Sequence, residues 1–520
     1  MTTEPLPAEG AQGTSARAWA ILAAMGFGAL IAQMFSTVIG PALPTIKDDL
    51  GLSLSTQTWT ITAYSLAFGA ALVAGGRLGD LVGEVRMIVI GFLIFGVGLV
   101  MSAVAVGGGL MVSGRAIQGI GIGISAPATL SIVVNTFPVV RRGLAVGIWG
   151  FAHGLGLLVG PLVAGYMMAV ATWRWVFWIA IPLTALVVLV TIVATRGYRS
   201  VLAEGTYDLV GLLLGATGIT LVTLGLQNAS NGWSDPSTWI PLVAGVLLLV
   251  AFGVYETRVK HPLVDLSLWR SRMFSGAFFS ESIVGFIYIP MLTFVGSLFF
   301  IGVLGMSPIE ASWVIVITTG TCMVMEPLAG RVVDRIGPGL PVVASLAMQA
   351  VALIWMGTFS PATTTPQMIV PLALMGAGVG IALPACNTAG MSAVDTRHAG
   401  MGSGLMQMTF NIPAALGMAV VTSIIGTVSI GRVKDAMTGN DVQSQAVSYS
   451  EAVELGDSAG AASILSALPQ QAQDAIQQVV TAAQASTIGL SMVILGVIAL
   501  LGAVMAAFFL GVRRRPISPA

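Results

Sequence analysis

Apolar residues run along this chain in stretches of about twenty, the length a helix needs to cross a hydrocarbon core, and short polar turns separate them. Read against those turns, the pattern predicts helices near 18–43, 56–78, 86–106, 110–137, 143–171, 174–196, 207–228, 237–257, 273–303, 308–330, 340–359, 367–393, 400–428 and 485–511. Fourteen spans place both termini on one side. The expected fold is an all-α polytopic membrane protein. Residues 429–484, rich in Ala, Gln and Ser, are expected to form an external loop, partly helical near 464–482.

Charge placement fixes the orientation. Most of the 22 Lys and Arg residues, from Arg17 through Arg141 and Arg142 to Arg513, Arg514 and Arg515, fall on the side of the termini. Lys47, Arg174, Arg432 and Lys434 fall on the other, and Arg115 alone lies inside a span. The positive-inside rule therefore predicts cytoplasmic termini. The first apolar run is too long for the core of a cleaved signal, so it reads as a retained helix.

Composition narrows the class further. The chain is 56% hydrophobic and 8% charged with zero formal net charge, which argues against nucleic acid or a strongly charged soluble partner. Cys322 and Cys386 each lie in apolar segments at no metal or redox spacing. No metal cluster, nucleotide-binding motif or nucleophile–base set is visible. "GIGIG" (119–123) lies in a membrane helix and follows no strand, so it is not a nucleotide loop. Neither cofactor nor enzymatic activity is expected, and energy must come from gradients.

Two turns repeat. "GGRLGDLVGEVR" (75–86) follows the second helix and "GRVVDRIG" (330–337) follows the tenth. Gly76, Asp80 and Gly83 in one match Gly330, Asp334 and Gly337 in the other, which indicates duplicated six-helix units. The predicted organisation is a cytoplasmic tail (1–17), an N-terminal six-helix bundle (18–200), an inserted helix pair with linkers (201–262), a C-terminal six-helix bundle (263–512) and a second tail (513–520). Asp80 can cap a helix N-terminus in the opposite half and so hold the cytoplasmic side shut. Arg86 closes the same turn.

The fifth helix carries "GIWGFAHGLGLLVGPLVAG" (147–165). Turning about 100° per residue, Gly147, Gly150, Gly154, Pro161 and Gly165 share one side, and His153, Gly156, Gly160 and Ala164 share a neighbouring strip. Two small-residue strips let two helices approach closely. Pro161 frees the carbonyl near Leu157, a defect that neighbouring protein must cover.

Gly147, Gly156, Gly160, Pro161 and Gly165, with Ala164 in place of a usual Gly, resemble the antiporter motif of exporters of the major facilitator superfamily. "GGRLGDLVGEVR" resembles that superfamily's motif between helices two and three, and "RAIQGIG" (115–121), with Arg115, Gln118 and Gly119, the one in helix four. "WRWVFWIAIP" (173–182) and "YDLVG" (207–211) are similar to marks of its fourteen-helix drug:proton antiporter family. The resemblance implies two six-helix bundles plus an inserted pair, a gating role for Asp80, and proton coupling or substrate handling at Arg115. Three positions depart from it. Leu81 and Glu84 stand where basic residues are usual, with Arg77 as a possible substitute, and Phe35 stands where relatives often carry Asp in a stretch like "MFSTVIGPALPTI" (34–46).

Arg115 is costly inside a span unless it faces protein or water, so it is expected at the central cavity, with a structural hydrogen-bond hub as the other reading. Low dielectric favours the neutral form of a lone carboxyl, which makes a membrane acid a usable proton carrier. Glu281 in helix nine is expected to be the main membrane carboxyl, Glu326 to belong to the second half's cytoplasmic gate with proton coupling as its other reading, and His153 to titrate or to bond between helices. An apolar cavity touching Gln33, Phe35, Trp149 and helix nine suits amphiphilic or lipophilic molecules. The expected function is proton-driven export of drugs, dyes or antibiotic-like compounds across a bacterial cell membrane, with small-molecule substrate, protons and lipid as partners. A dedicated lipid or natural-product exporter is the alternative, and a non-transporting receptor or scaffold a more distant one.

Overall fold

Each predicted apolar run is helical in the computed structural model, which describes residues 15–204, 208–228, 233–260, 262–440, 442–454 and 458–511. Tyr207 and Arg513 to Arg515 lie outside the described residues. In chain order the helices are α1 (Ala16–Thr37), α2 (Ile39–Leu50), α3 (Leu54–Val82), α4 (Glu84–Ala103), α5 (Gly108–Thr136), α6 (Arg142–Val170), α7 (Arg174–Trp178), α8 (Ala180–Ala194) and α9 (Leu209–Gln227). There follow α10 (Pro236–Glu256), α11 (Arg272–Thr293), α12 (Pro308–Ile336), α13 (Gly339–Met356), α14 (Thr365–Ser392), α15 (Ala399–Ala436), α16 (Gln443–Glu454), α17 (Ser458–Ser466) and α18 (Gln470–Leu510). No strand occurs among the described residues. Lipid supplies no hydrogen-bond partners, so a spanning chain satisfies its backbone within helices.

Among the described residues, thirteen helical segments are long and apolar enough to cross a membrane, and α3, bent by 45° between Leu72 and Ala74, brings the number to fourteen when its two parts are counted as one span. Local sequence sets many of the starts. Ser15, Ser53, Asp208, Asp235 and Ser271 each accept a hydrogen bond from an amide of the first helical turn, and Ser307 with Glu310 closes a reciprocal capping box. At the far ends, Gly83 and Gly337 take φ of 109° and 82°, a region closed to most side chains, and so turn the chain directly after α3 and α12.

The first eight helices pack among themselves, with α5 set between α3 and α4 and α1 against α6. A second group forms from α11 to α18, with α14 against α12 and α13, and α11 against α15 and α18. The groups meet mainly where α6 packs on α12 and α3 on α15, while α9 and α10 pair and lean on α3 and α15 through α9. The Arg17 guanidinium donates to the Arg196 carbonyl, and Gly339 lies beside Gly511. Both ends of the described chain therefore share one face with the two glycine-aspartate turns, here termed the turn-bearing end.

Residues 429–484 are more helical than their composition suggests. α15 continues to Ala436, α18 begins at Gln470, and α16 and α17 fill much of the interval. Val433, Met437, Ala446, Leu465, Ile476 and Val480 give this region a small core of its own. Its mean hydropathy hides these helices because their polar faces are Gln and Ser.

Candidate functional site

α6 and α15 start without caps of their own. Their N-cap residues, Arg141 and His398, make no side-chain capping bond. A capping side chain normally accepts from the second or third amide of the helix. Here the acceptor comes from the opposite group. Asp80 of α3 accepts from Gly400 N at 2.7 Å and Met401 N at 2.9 Å, at the start of α15. Asp334 of α12 accepts from Gly143 N at 2.7 Å and Leu144 N at 2.9 Å, at the start of α6. Each carboxylate sits at the positive end of a helix in the other group, where the macrodipole favours an anion.

These bonds require the helix backbones to touch. Gly76 lies on the Gly400 carbonyl and Gly330 on the Gly143 carbonyl, with no room for a β-carbon. A methyl on Gly143 or on Gly400 would meet the clamping carboxylate at 2.7 Å. The repeated glycines and aspartates thus join the two groups at the turn-bearing end. The amides of Gly143, Leu144, Gly400 and Met401 were not singled out from sequence, because a main-chain donor carries no side-chain signature. Arg86 is exposed and, among the described residues, bonds the Val82 carbonyl alone, at 3.3 Å, and neither clamping aspartate.

The strips on α6 face two different helices. Gly147 and Gly150 rest on Glu326 of α12 and Gly154 on Met323, whereas Gly156 and Gly160 rest on Leu30, Met34 and Thr37 of α1. Gly165 meets nothing within 4 Å. The Thr37 hydroxyl donates to the Leu157 carbonyl at 3.4 Å, covering the acceptor that Pro161 leaves free.

Arg115 is fully buried. It donates from Nε to the Thr60 carbonyl (3.2 Å) and from Nη1 to the Phe35 carbonyl (3.2 Å) and Gln118 Oε1 (2.8 Å), and it lies over the Tyr64 ring at 4.4 Å. Gln118 continues to the Gly98 carbonyl and Ser102, and Gly119 admits the α3 backbone. The residue ties α1, α3 and α5 together and does not line the cavity, which corrects the expectation that it faces it. Glu84 forms a second buried hub: it accepts from Ser131 (2.8 Å), Asn135 (3.0 Å) and Tyr198 (3.3 Å). Burial, and then the Glu84 charge, push the Tyr198 phenol above its ordinary range. The acid that departs from the family pattern binds α4 to α5 and to the chain after α8.

Behind this contact lies a small, largely apolar space of about 20 Å³. Gln33, Phe68, Phe92, Ser125, Thr129, Trp149 and His153 line it from the first group, and Gln407 faces it from α15. Trp149 donates to Thr129 at 3.2 Å and stacks on His153, with ring centroids 5.6 Å apart. Gln33 and Trp149 are among the lining residues. Phe35 is not: it is fully buried, edge-on to Phe95 at 5.4 Å. Helix nine does not reach this space either. No charged side chain lines it.

Two membrane carboxyls are buried elsewhere. Glu281 accepts from Asn387 at 2.9 Å between α11 and α14, and its Oε2 has no partner. Glu326 has Cys322 Sγ at 3.8 Å, while its unpartnered Oε2 points at Gly150 of α6, across the junction of the two groups. The described residues hold no group of three or more potential metal ligands.

The model of the Major Facilitator Superfamily matches residues 25–418. The chain belongs to the major facilitator superfamily. It is 28% identical over 514 residues, 96% of this chain and 93% of the relative, to the tetracenomycin C resistance and export protein of Streptomyces glaucescens. It is 31% identical to the puromycin resistance protein pur8 of Streptomyces alboniger, covering 81% of this chain and 84% of that one. In structure it resembles the human organic anion transporter MFSD10, with TM-score 0.62 at 12% identity over 94% of this chain and 99% of that one. The proton:xylose symporter XylE gives 0.61 at 14% identity, covering 96% and 97%. The solved neighbours are transporters and the tetracenomycin C relative is named an export protein, so the superfamily assignment carries a transport fold and not an enzymatic one.

Proposed function

We propose that this protein is a secondary-active exporter that carries amphiphilic or lipophilic small molecules, of the drug, dye or antibiotic class, across a bacterial cell membrane by alternating access. The pair of reciprocal clamps carries the reading. Asp80 on α15 and Asp334 on α6 close one end over an apolar space, and a clamp made of four hydrogen bonds across a junction can open and close as the two groups rock. The positive-inside pattern makes the closed end cytoplasmic, with both termini there. The resistance and export roles named for the relatives support the substrate class. The two rocking units correspond to residues 18–200 and 263–512, with 201–262 as the inserted pair.

Protons drive the cycle in this reading, and a potential near 100 mV supplies about 2.3 kcal/mol per charge. Glu281 and Glu326 are the carriers it names. Glu326 is the better placed, because its free oxygen faces the opposite group while Glu281 stays inside one. An uncharged, largely apolar cavity also fits a dedicated exporter of a neutral lipid or natural product. Efflux of a lipophilic cationic dye from cells expressing the protein separates these readings. Efflux abolished by an uncoupler and by Asp80→Asn supports multidrug export. Absent efflux, with protein present in the membrane, sinks it and leaves the dedicated exporter.

A further inference from the structure

The inserted pair ends at the turn-bearing face on two carboxyls that the transport cycle above does not use. Asp208 precedes α9, and its Oδ1 accepts from Gly211 N at 2.9 Å and from the Tyr255 hydroxyl at 3.1 Å. Glu256 closes α10, and its Oε2 accepts from Val264 N at 3.1 Å. Each carboxyl keeps a second oxygen, Asp208 Oδ2 and Glu256 Oε1, that is buried and has no partner among the described residues. The residues are only 9% and 3% exposed. Both orphan oxygens face one point beside Gly211. A methyl placed there would meet each of them at 2.5 Å, so they lie within twice that distance of each other.

Two ionised carboxylates so close, both out of water, repel strongly, and each orphan oxygen lacks a donor. One proton relieves both costs. Asp208 Oδ1 is already engaged by Gly211 N and the Tyr255 hydroxyl, which leaves Glu256 as the natural carrier. Among the described residues, the other charged group whose field reaches Glu256 is Arg77 of α3, buried at the turn-bearing end, and its charge acts on Asp80 of the clamp as well.

We propose that Asp208 and Glu256 form a proton-binding site, with one proton held between Asp208 Oδ2 and Glu256 Oε1, separate from the cavity and from Glu281 and Glu326. Loss of that proton places a second negative charge beside Arg77 and changes the field at Asp80. The insert thereby reports pH at the turn-bearing end to the clamp.

Infrared difference spectra of the full chain in lipid nanodiscs, recorded against pH without substrate, test the site directly. A carboxylic-acid carbonyl band that disappears in one step as pH rises is expected, and Glu256→Gln removes it. Asp208→Asn keeps the band but weakens proton affinity about tenfold, one pH unit, because the neighbouring charge is gone. Tyr255→Phe leaves both carboxyls in place, strengthens their hold on the proton and moves the step to higher pH, which keeps the test decisive even if Glu256→Gln fails to fold. Spectra unchanged in all three variants would overturn the proposal. So would a signal at fixed pH that follows sodium, potassium or magnesium concentration, since the occupant would then be a metal cation. No substrate is present, so the outcome does not depend on whether the chain exports a dye.

Discussion

The two clamps have the same bond lengths and different surroundings. Asp80 is 3% exposed, packed with buried Arg77, next to the Glu84 hub, and its own carbonyl accepts from Ala203 N at 2.9 Å. Asp334 is half-buried and faces Arg141. A charge-assisted hydrogen bond gains strength where water and ions cannot compete for it, so one motif used twice need not hold equally tightly at both places. Burial, and not geometry, distinguishes the halves, and on this argument the first half's clamp is expected to be the stronger latch.

Substitution at each aspartate tests that ranking. Hydrogen bonds to a charged group contribute about 1.5–3 kcal/mol each, and Asp80→Asn removes the charge shared by two of them. Dye efflux is therefore expected to fall at least about tenfold for Asp80→Asn and only a few-fold for Asp334→Asn, where water replaces part of what is lost. A larger defect at Asp334 would reverse the ranking and show that exposure does not decide clamp strength. Cysteine labelling at Ser125, inside the cavity, supplies an independent measure: the labelling rate from the turn-bearing side should rise more for Asp80→Asn.

Deeper in the same junctions the halves differ again. Glu326 of α12 points a free carboxyl oxygen at Gly150, whereas no acid of the first group faces α15 at that depth among the described residues. If proton coupling resides at that junction, Glu326→Gln in liposomes should lower transport driven by a pH gradient about tenfold while substrate still binds. Glu281→Gln should lower it less, since that carboxyl meets only Asn387 within its own group. Loss of pH-driven transport in Glu281→Gln alone would return coupling to helix nine.

Much of this was legible in the chain itself, and the gaps have physical causes. The apolar runs, the repeated Gly76-Asp80-Gly83 and Gly330-Asp334-Gly337 turns and the two strips on α6 are side-chain patterns, and side chains are what a sequence displays. The partners of Asp80 and Asp334 are main-chain amides, which every residue except proline carries, so no residue type marks them. A faint signal existed: α6 and α15 begin on arginine or histidine followed by a small residue, with no Ser, Thr, Asp or Asn to cap them. Arg115 and Phe35 were placed at the cavity because a span exposes some face to it, but periodicity does not say which. Glu84 was read as a missing base. In the fold it is a satisfied acceptor with three donors, and Glu84→Gln should destabilise the chain by about 1–3 kcal/mol in thermal inactivation, because the amide turns a donor toward donors.

The smallest effect is expected at the end opposite the clamps. Asp49 pairs with Arg174 at 2.6 Å and accepts from Trp173 at 3.0 Å, joining the end of α2 to the start of α7. The bonds from Arg174 and then Trp173 hold its carboxyl below the ordinary value of 3.8. With the folded value depressed, the pair's contribution is fully present above pH 3.8, and so throughout the neutral range, and is lost only as pH falls through the lowered value. Its side chains are 33% and 46% exposed, and the pair lies within one group of helices, so water and salt screen it and no rocking motion strains it. Asp49→Asn should leave efflux unchanged and shift thermal inactivation slightly at neutral pH, with the difference from the parent vanishing in strong acid. A tenfold efflux defect there would show that an exposed pair can latch this fold as firmly as the buried carboxylate of Asp80.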